Sequence, residues 1–267
     1  MCTQLAEDRL SPEVIRAGLR TEFIGRNVVY RPSVTSTNDL ARALAAQGAP
    51  EGTLVLAEEQ TAGRGRLGRV WLSPAGTSLL FSLIFRPALR PGQAFRLAML
   101  CSLAAARAIE AVTALPIHLK WPNDLVLRGK KLGGVLAEAS LTGERLDFVV
   151  VGLGLNVNLD VSTLPEIAAT ATSLSTELGR PVARLPLLQR ILQEIEAGYR
   201  DVAQDEALRA AWAARLSTLG QMVRVTGGTE DEGLAEGVDA DGALLLHRAD
   251  GTLVRITVGD VTLRPTG

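Results

Sequence analysis

The chain has 267 residues, 47% of them hydrophobic and 21% charged, with 28 Lys and Arg against 29 Asp and Glu for a net charge of −1. These are the proportions of a soluble globular protein, long enough for one large domain and a small one. The start, MCTQLAEDRLSPEVIR, carries acids and no apolar core, and the longest apolar run is LLFSLIF, so neither a secretory signal nor a membrane span is read and a cytoplasmic location is expected.

Residues from about 10 to 31 read as a short helix followed by the strand RNVVYRP. Ser36 then caps a helix, with Asp39 three residues on and LARALAAQ running to Gly48. GTLVLAEEQ is a strand that leads into a glycine-arginine loop, GRGRLGR, and TSLLFSLIF is a second, buried strand. A helix from Ala94 to Val112 precedes IHLKWP, DLVL, LGGVLAEAS and LDFVVVGLGLNVN, whose short connections demand antiparallel neighbours in a meander. Two helices, LPLLQRILQEIEAGYRDVAQ and EALRAAWAARL, follow. From Ser217 on, glycines and short alternating runs replace the helical pattern, as in a small β-barrel. The expected organisation is an α+β domain over residues 1–216 and a small all-β domain over 217–267.

Charge is unevenly placed. Between Gln60 and Ile109 there are seven arginines and no Asp or Glu, which predicts positive potential suited to a phosphate-bearing ligand or an acidic partner. The C-terminal segment has eight acids against four arginines. The chain uses 25 Arg and only three Lys, and Lys120, Lys130 and Lys131 share one short stretch, where a compact ammonium is wanted.

Gly63, Gly65 and Gly68 match G-x-G-x-x-G, but the loop leads through a Trp and a Ser-Pro into a strand, and no acid follows until Glu110. A dinucleotide fingerprint must open a helix and find an acid about twenty residues later, so that reading fails. The phosphate loop G-x-x-x-x-G-K-[ST] is absent. An arginine-rich RNA loop would need stacking aromatics, and only Trp71 is near. In KWPNDLVLRGKKLGGVL, Pro122 sets a bend that Asn123 and Asp124 can brace, and the pair Gly133 and Gly134 inside a strand marks close approach of a ligand or another backbone. GLGLNVN repeats the device with Gly152 and Gly154, followed by Asn156 and Asn158. His118 and His247 are isolated, Cys2 and Cys101 lack metal spacing, and no activated nucleophile stands out, so no residue is assigned to a metal. The expected chemistry runs by positioning and electrostatics.

Taken together, STN, EEQTAGRGRLGRVW, KWPNDL, KLGGVLAE and VVVGLGLNVN resemble the biotin protein ligases in order and spacing over Val34 to Asn158. The resemblance implies a mixed, largely antiparallel sheet with helices, of the class II aminoacyl-tRNA synthetase and biotin ligase type, plus a small SH3-like β-barrel. It implies formation of biotinyl-5′-AMP from biotin and ATP with Mg²⁺, then transfer to a lysine of the biotin carboxyl carrier protein of acetyl-CoA carboxylase. By position, Ser36, Thr37, Asn38 and Gln60 would hold the ureido head of biotin. Arg64, Gly65 and Arg66 would close over biotin and the acyl phosphate, Trp71 would pack over the ligand, and Gly134 would floor the pocket. Lys131 would meet the carboxylate and α-phosphate, with Lys131 and Arg66 as the catalytic pair. Arg66, Arg69, Asn123, Asp124 and Lys131 would serve ATP, and Asn156 the adenine. About thirty residues precede STN, so a monofunctional ligase without DNA or membrane binding is expected, and a homodimer stays open. The alternatives are a lipoate or octanoate ligase, whose His-containing signature is lacking, and an arginine-loop nucleic-acid-binding protein. The glycines and mutually repelling arginines predict a loop that is mobile until an anion arrives.

Overall fold

The structure, a computed structural model, describes Asp8 and residues 10–203, 206–228 and 230–263. Seven strands, β1 (Val28–Val34), β2 (Leu54–Gln60), β3 (Ser78–Phe85), β4 (His118–Lys120), β5 (Asp124–Leu127), β6 (Lys130–Thr142) and β7 (Arg145–Asn156), form one sheet. Their order is β1-β2-β3-β7-β6-β5-β4. Only β1 and β2 run parallel, because a crossover helix joins them; every other neighbour is antiparallel. β4 to β7 form the expected meander.

Helices cover both faces of this sheet. Preceded by the short α1 (Pro12–Gly18), the crossover helix is α2 (Thr37–Ala46), capped by Ser36 Oγ, which accepts from the Asp39 amide at 3.4 Å. Ala41 and Ala45 of α2 pack on Val55, Ile84, Phe148 and Val150. On the other face lies α3 (Phe95–Thr113), backed by α5 (Arg184–Tyr199), with the short α4 (Leu174–Leu178) between them in the chain. Cover on both faces explains why β3 is apolar almost throughout: all eight of its residues are buried. The last helix of this region is α6 (Glu206–Ala213).

The expected helix through Arg200 and beyond stops earlier. α5 ends at Tyr199, the Val202 amide bonds back to the Tyr199 carbonyl, and Val202 is buried in a turn. The Ala203 carbonyl then accepts from Arg96 Nη1 at 2.9 Å, so tertiary contacts outweigh helical continuation. Gln204, the end of the expected helix, lies outside the described residues, as does Cys2.

A second sheet holds β8 (Met222–Thr226), β9 (Asp231–Val238), β10 (Leu244–His247), β11 (Leu253–Ile256) and β12 (Asp260–Leu263), antiparallel in the order β11-β10-β9-β8-β12. It docks on the first sheet at Trp121. The indole Nε1 donates to the Gly242 carbonyl at 2.9 Å, and the Trp121 amide donates to Thr218 Oγ1 at 3.0 Å. Gly242 itself lies against Phe95 and Met99 with no room for a side chain.

Candidate active site

The glycine-arginine loop is a closed excursion from the end of β2. The Trp71 amide donates to the Gly63 carbonyl at 2.9 Å and the Gly65 amide to the Arg69 carbonyl at 2.7 Å. Its tip is a 3₁₀ turn over Arg66–Gly68, with Leu67 at φ 54° and Gly68 at φ 74°. Glycine takes that conformation without penalty and leucine does not. The Leu67 side chain is held by packing on Gly227, where a Cβ would collide with Leu67 Cδ1.

The loop arginines do not face one another unpaired. Arg64 Nη2 lies 2.5 Å from Asp39 and 3.1 Å from Glu138, Arg69 Nη2 lies 2.5 Å from Asp260, and Arg66 Nη2 donates to the Gly259 carbonyl at 3.3 Å. Acids missing from the local sequence thus arrive from α2, β6 and β12 to pair Arg64 and Arg69, while Arg69 still repels Arg66, as expected. Burial pulls the Arg66 guanidinium below its ordinary value, while Asp260 and Asp124 push it back up. It remains a cation.

Below the loop lies a cavity of about 250 Å³, and every residue that the sequence reading assigned to a site lines it. One end is neutral and rich in hydrogen-bonding groups. Gln60 Oε1 accepts from the Thr37 amide at 2.8 Å and from Thr37 Oγ1 at 3.1 Å, which leaves the Gln60 amide nitrogen as a donor. Ser82 Oγ sits 2.8 Å from Thr37 Oγ1 and 2.7 Å from Asn38 Oδ1. One hydroxyl proton cannot serve both oxygens at once, so this end has spare acceptor capacity. Gly152 provides the space: a Cβ there would strike Asn38 Oδ1.

The other end is charged. Lys131 Nζ lies 2.7 Å from Asp124 Oδ1 and 5.8 Å from the centre of the Trp71 ring. Trp71 packs against Gly154, where a Cβ would come within 2.7 Å of the indole, and Gly134 leaves the adjoining floor open. The Lys131 backbone is fixed by the Thr170 carbonyl at 2.8 Å and the Thr172 amide at 2.9 Å. Asn156 Nδ2 donates to the Thr172 carbonyl at 3.1 Å, and its Oδ1 is buried without a partner, an acceptor that a donor-bearing ligand would satisfy. Asn123 ties the bend to β6 through the Val135 carbonyl and amide.

Sequence reasoning missed several residues here. Ser82 carried a signal, being a polar residue with three apolar neighbours on each side in a buried strand. Glu138 closes the motif KLGGVLAE, which gave it no role, and Asp260 and the strap Ile167, Thr170 and Ala171 carried no signal, because no local pattern marks them. Cys101 is buried in α3 and burial raises its thiol, so it is inert. Among the described residues no three His, Cys, Asp or Glu side chains cluster as a metal site.

Residues 30–156 match the Biotin/lipoate A/B protein ligase family, and residues 218–264 match the Biotin protein ligase C terminal domain. A biotin--[acetyl-CoA-carboxylase] ligase of Mycobacterium tuberculosis is 37% identical over 272 residues, covering 95% of this chain and 97% of that one. The chain is a biotin protein ligase family member. A Bacillus subtilis bifunctional ligase/repressor BirA of the same family is also 37% identical, over 96% of this chain and 79% of its own. In three dimensions, the biotin protein ligase from Aquifex aeolicus in complex with biotin and ATP superposes with a TM-score of 0.76 at 30% identity, covering 90% of this chain and all of that one. The biotin ligase fold is thus a mixed α+β sheet with a small C-terminal antiparallel sheet, as expected.

Proposed function

We propose that this chain is an ATP-dependent biotin protein ligase that forms biotinyl-5′-AMP and passes biotin to a lysine of a biotin carboxyl carrier protein. The observation that carries this reading is the polarity of one cavity, neutral acceptors and a donor at one end and Lys131, Arg66 and Arg69 at the other. A cyclic urea offers two N–H donors and one carbonyl acceptor. Asn38, Thr37 and Ser36 face the donors, and Gln60 faces the carbonyl. The valeryl chain then runs over Gly134 and Gly154 beneath Trp71 toward the cations.

In the first step a biotin carboxylate oxygen bonds to the α-phosphorus of ATP, and the bond to the departing pyrophosphate breaks. Two anions are pressed together, so Lys131 and Arg66 act by stabilising charge on the carboxylate and the α-phosphate. Asp124 keeps the Lys131 ammonium in place at 2.7 Å. Asn156 offers its unpaired Oδ1 to the adenine amine, and Asn123 and Arg69 line the nucleotide side. In the second step the acceptor lysine amine bonds to the biotinyl carbonyl and AMP leaves with the bonding electrons. The closed loop shields the mixed anhydride from water.

Mg²⁺ fits this site as a companion of the nucleotide. Asp124 and Asp260 both border the cavity, and a magnesium ion held by one or two carboxylates together with substrate phosphates is the usual arrangement. When bound it neutralises phosphate charge. The proposal includes action in the cytoplasm on the carrier of acetyl-CoA carboxylase, with self-association open to measurement. A lipoate reading is favoured only by the breadth of the first family, which spans both kinds of ligase. Incubation with α-labelled ATP and either biotin or lipoate separates them: label should appear in an acyl-adenylate with biotin and not with lipoate. Label transfer with lipoate alone would reverse the assignment.

A further inference from the structure

The hydrogen bonds at the neutral end of the cavity continue beyond it. Asn38 is 4% exposed and its amide is oriented from both sides. Oδ1 accepts from Ser82 at 2.7 Å, while Nδ2 donates to the Leu136 carbonyl at 3.2 Å and to Glu138 Oε2 at 2.7 Å. A flipped amide would aim its oxygen at a carboxylate and a carbonyl, so one orientation is enforced. The same Glu138 carboxylate receives Arg64 Nη2 at 3.1 and 3.2 Å and Arg42 Nη1 at 3.3 Å. A carboxylate only 18% exposed needs such partners, and one of them belongs to the glycine-arginine loop. The contacts Asn38–Glu138–Arg64 therefore join the head-group pocket to the loop.

We propose that Glu138 is a positioning residue that couples the seating of the ligand's cyclic head to the docking of the loop through Arg64. The inference rests on the biotin ligase reading given above. A ligand N–H arriving at Asn38 meets an amide whose direction Glu138 sets, and a docked Arg64 pins that carboxylate from the far side. Asp39 also holds Arg64, at 2.5 Å, but both Asn38 amide hydrogens are already committed to Leu136 and Glu138. Asp39 thus tethers the loop, whereas Glu138 tethers it and transmits.

The full chain carrying Glu138→Gln, Asp39→Asn, Arg64→Gln or the Glu138→Gln/Arg64→Gln pair tests this. Biotin and ATP KM for adenylate formation, the release rate of biotinyl-adenylate and Tm would be measured. Glu138→Gln should raise biotin KM and speed release by about tenfold each, the loss of one charge-assisted hydrogen bond, with ATP KM and Tm unchanged. Asp39→Asn should speed release and leave biotin KM alone. In biotin KM the pair should be no worse than Glu138→Gln, because for that quantity both changes cut one path, while release should be faster still, since Arg64→Gln also removes the Asp39 tether. Identical behaviour of Glu138→Gln and Asp39→Asn, additive effects of the pair on biotin KM, or a fall in Tm with both KM values rising together would each overturn the coupling. Should Glu138→Gln fail to fold, Arg64→Gln at the exposed end carries the same test, and an unchanged biotin KM there overturns it. A wild-type chain that makes no adenylate from biotin would overturn the ligase reading itself, and the coupling with it.

Discussion

Lys131 is the one lysine that the cavity holds, and its neighbours restrain its side chain before any substrate binds: Asp124 at 2.7 Å and the Trp71 face at 5.8 Å. Lys131→Ala should slow adenylate formation by about 10²–10³, the usual loss when one donor to developing charge is removed. Lys131→Arg should be impaired as well, since a planar fork cannot occupy the place of a compact ammonium between a carboxylate and an indole. Pre-steady-state pyrophosphate release measures both, and a near-normal rate for Lys131→Ala would remove the residue from the chemistry. Gly154→Ala tests the floor. Its Cβ would fall 2.7 Å from the Trp71 indole, which must lift away and with it the partner of Lys131. The expected outcome is altered tryptophan emission together with lost adenylation, and unchanged emission would show that the indole does not rest there.

At the level of elements, the loop is held by β12 as much as by its own turn. Arg69–Asp260, Arg66–Gly259 and Leu67–Gly227 are all contacts with the C-terminal sheet. Asp260→Asn should therefore speed trypsin cleavage after Arg66 and Arg69 in the ligand-free chain, with biotin, ATP and Mg²⁺ restoring protection. Cleavage at the wild-type rate would mean that the ion pair does not restrain the loop. A second pair fastens α3 to the segment entering the C-terminal sheet: Arg215 meets both Glu110 oxygens, at 2.5 and 2.8 Å. The Arg215 hydrogen bonds hold the Glu110 carboxyl below its ordinary 4.5. A depressed carboxyl contributes its full stability above that ordinary value and loses it as pH falls through the lower folded value. Glu110→Gln should cost roughly 1–3 kcal/mol at pH 7 and progressively less below pH ~4, as read from urea unfolding. A cost independent of pH would rule out the ion pair as its source.

Across the whole molecule, the two sheets are joined through groups that each buries in the other. Trp121 donates to Gly242, Thr218 accepts from Trp121, and β4 pairs with the connecting segment through Leu119, Arg215 and Ser217. Unfolding the small sheet would strand a buried indole N–H and uncover Phe95 and Met99, so calorimetry should record a single cooperative transition. Gly242→Ala should lower stability by at least about 2 kcal/mol, because φ is +81° and the methyl would meet Met99 and Phe95. Two separated transitions in the wild-type chain would show the sheets to be energetically independent.

Local pattern determined the elements and most of the cavity. Ser36 as a helix cap, the strand-loop-strand around Gly63 to Trp71, and the Gly-Gly and Gly-x-Gly strands are features of neighbouring residues, and periodicity and turn chemistry report such features directly. The motifs then located Thr37, Gln60, Trp71, Lys131 and Asn156, which the fold gathers from α2, β2, the loop, β6 and β7. Charge balance was beyond that reach. An acid-free stretch of sequence predicted positive potential and said nothing of ion pairs, yet Asp39, Glu138 and Asp260 answer Arg64 and Arg69 from positions 25, 74 and 191 residues away. Only the tertiary structure decides which glycine makes room for an indole and which for an asparagine, or that β12 supplies a wall of the cavity. Ion pairing and steric exclusion act through space over a few ångströms, and sequence separation carries no information about which distant groups will come that close.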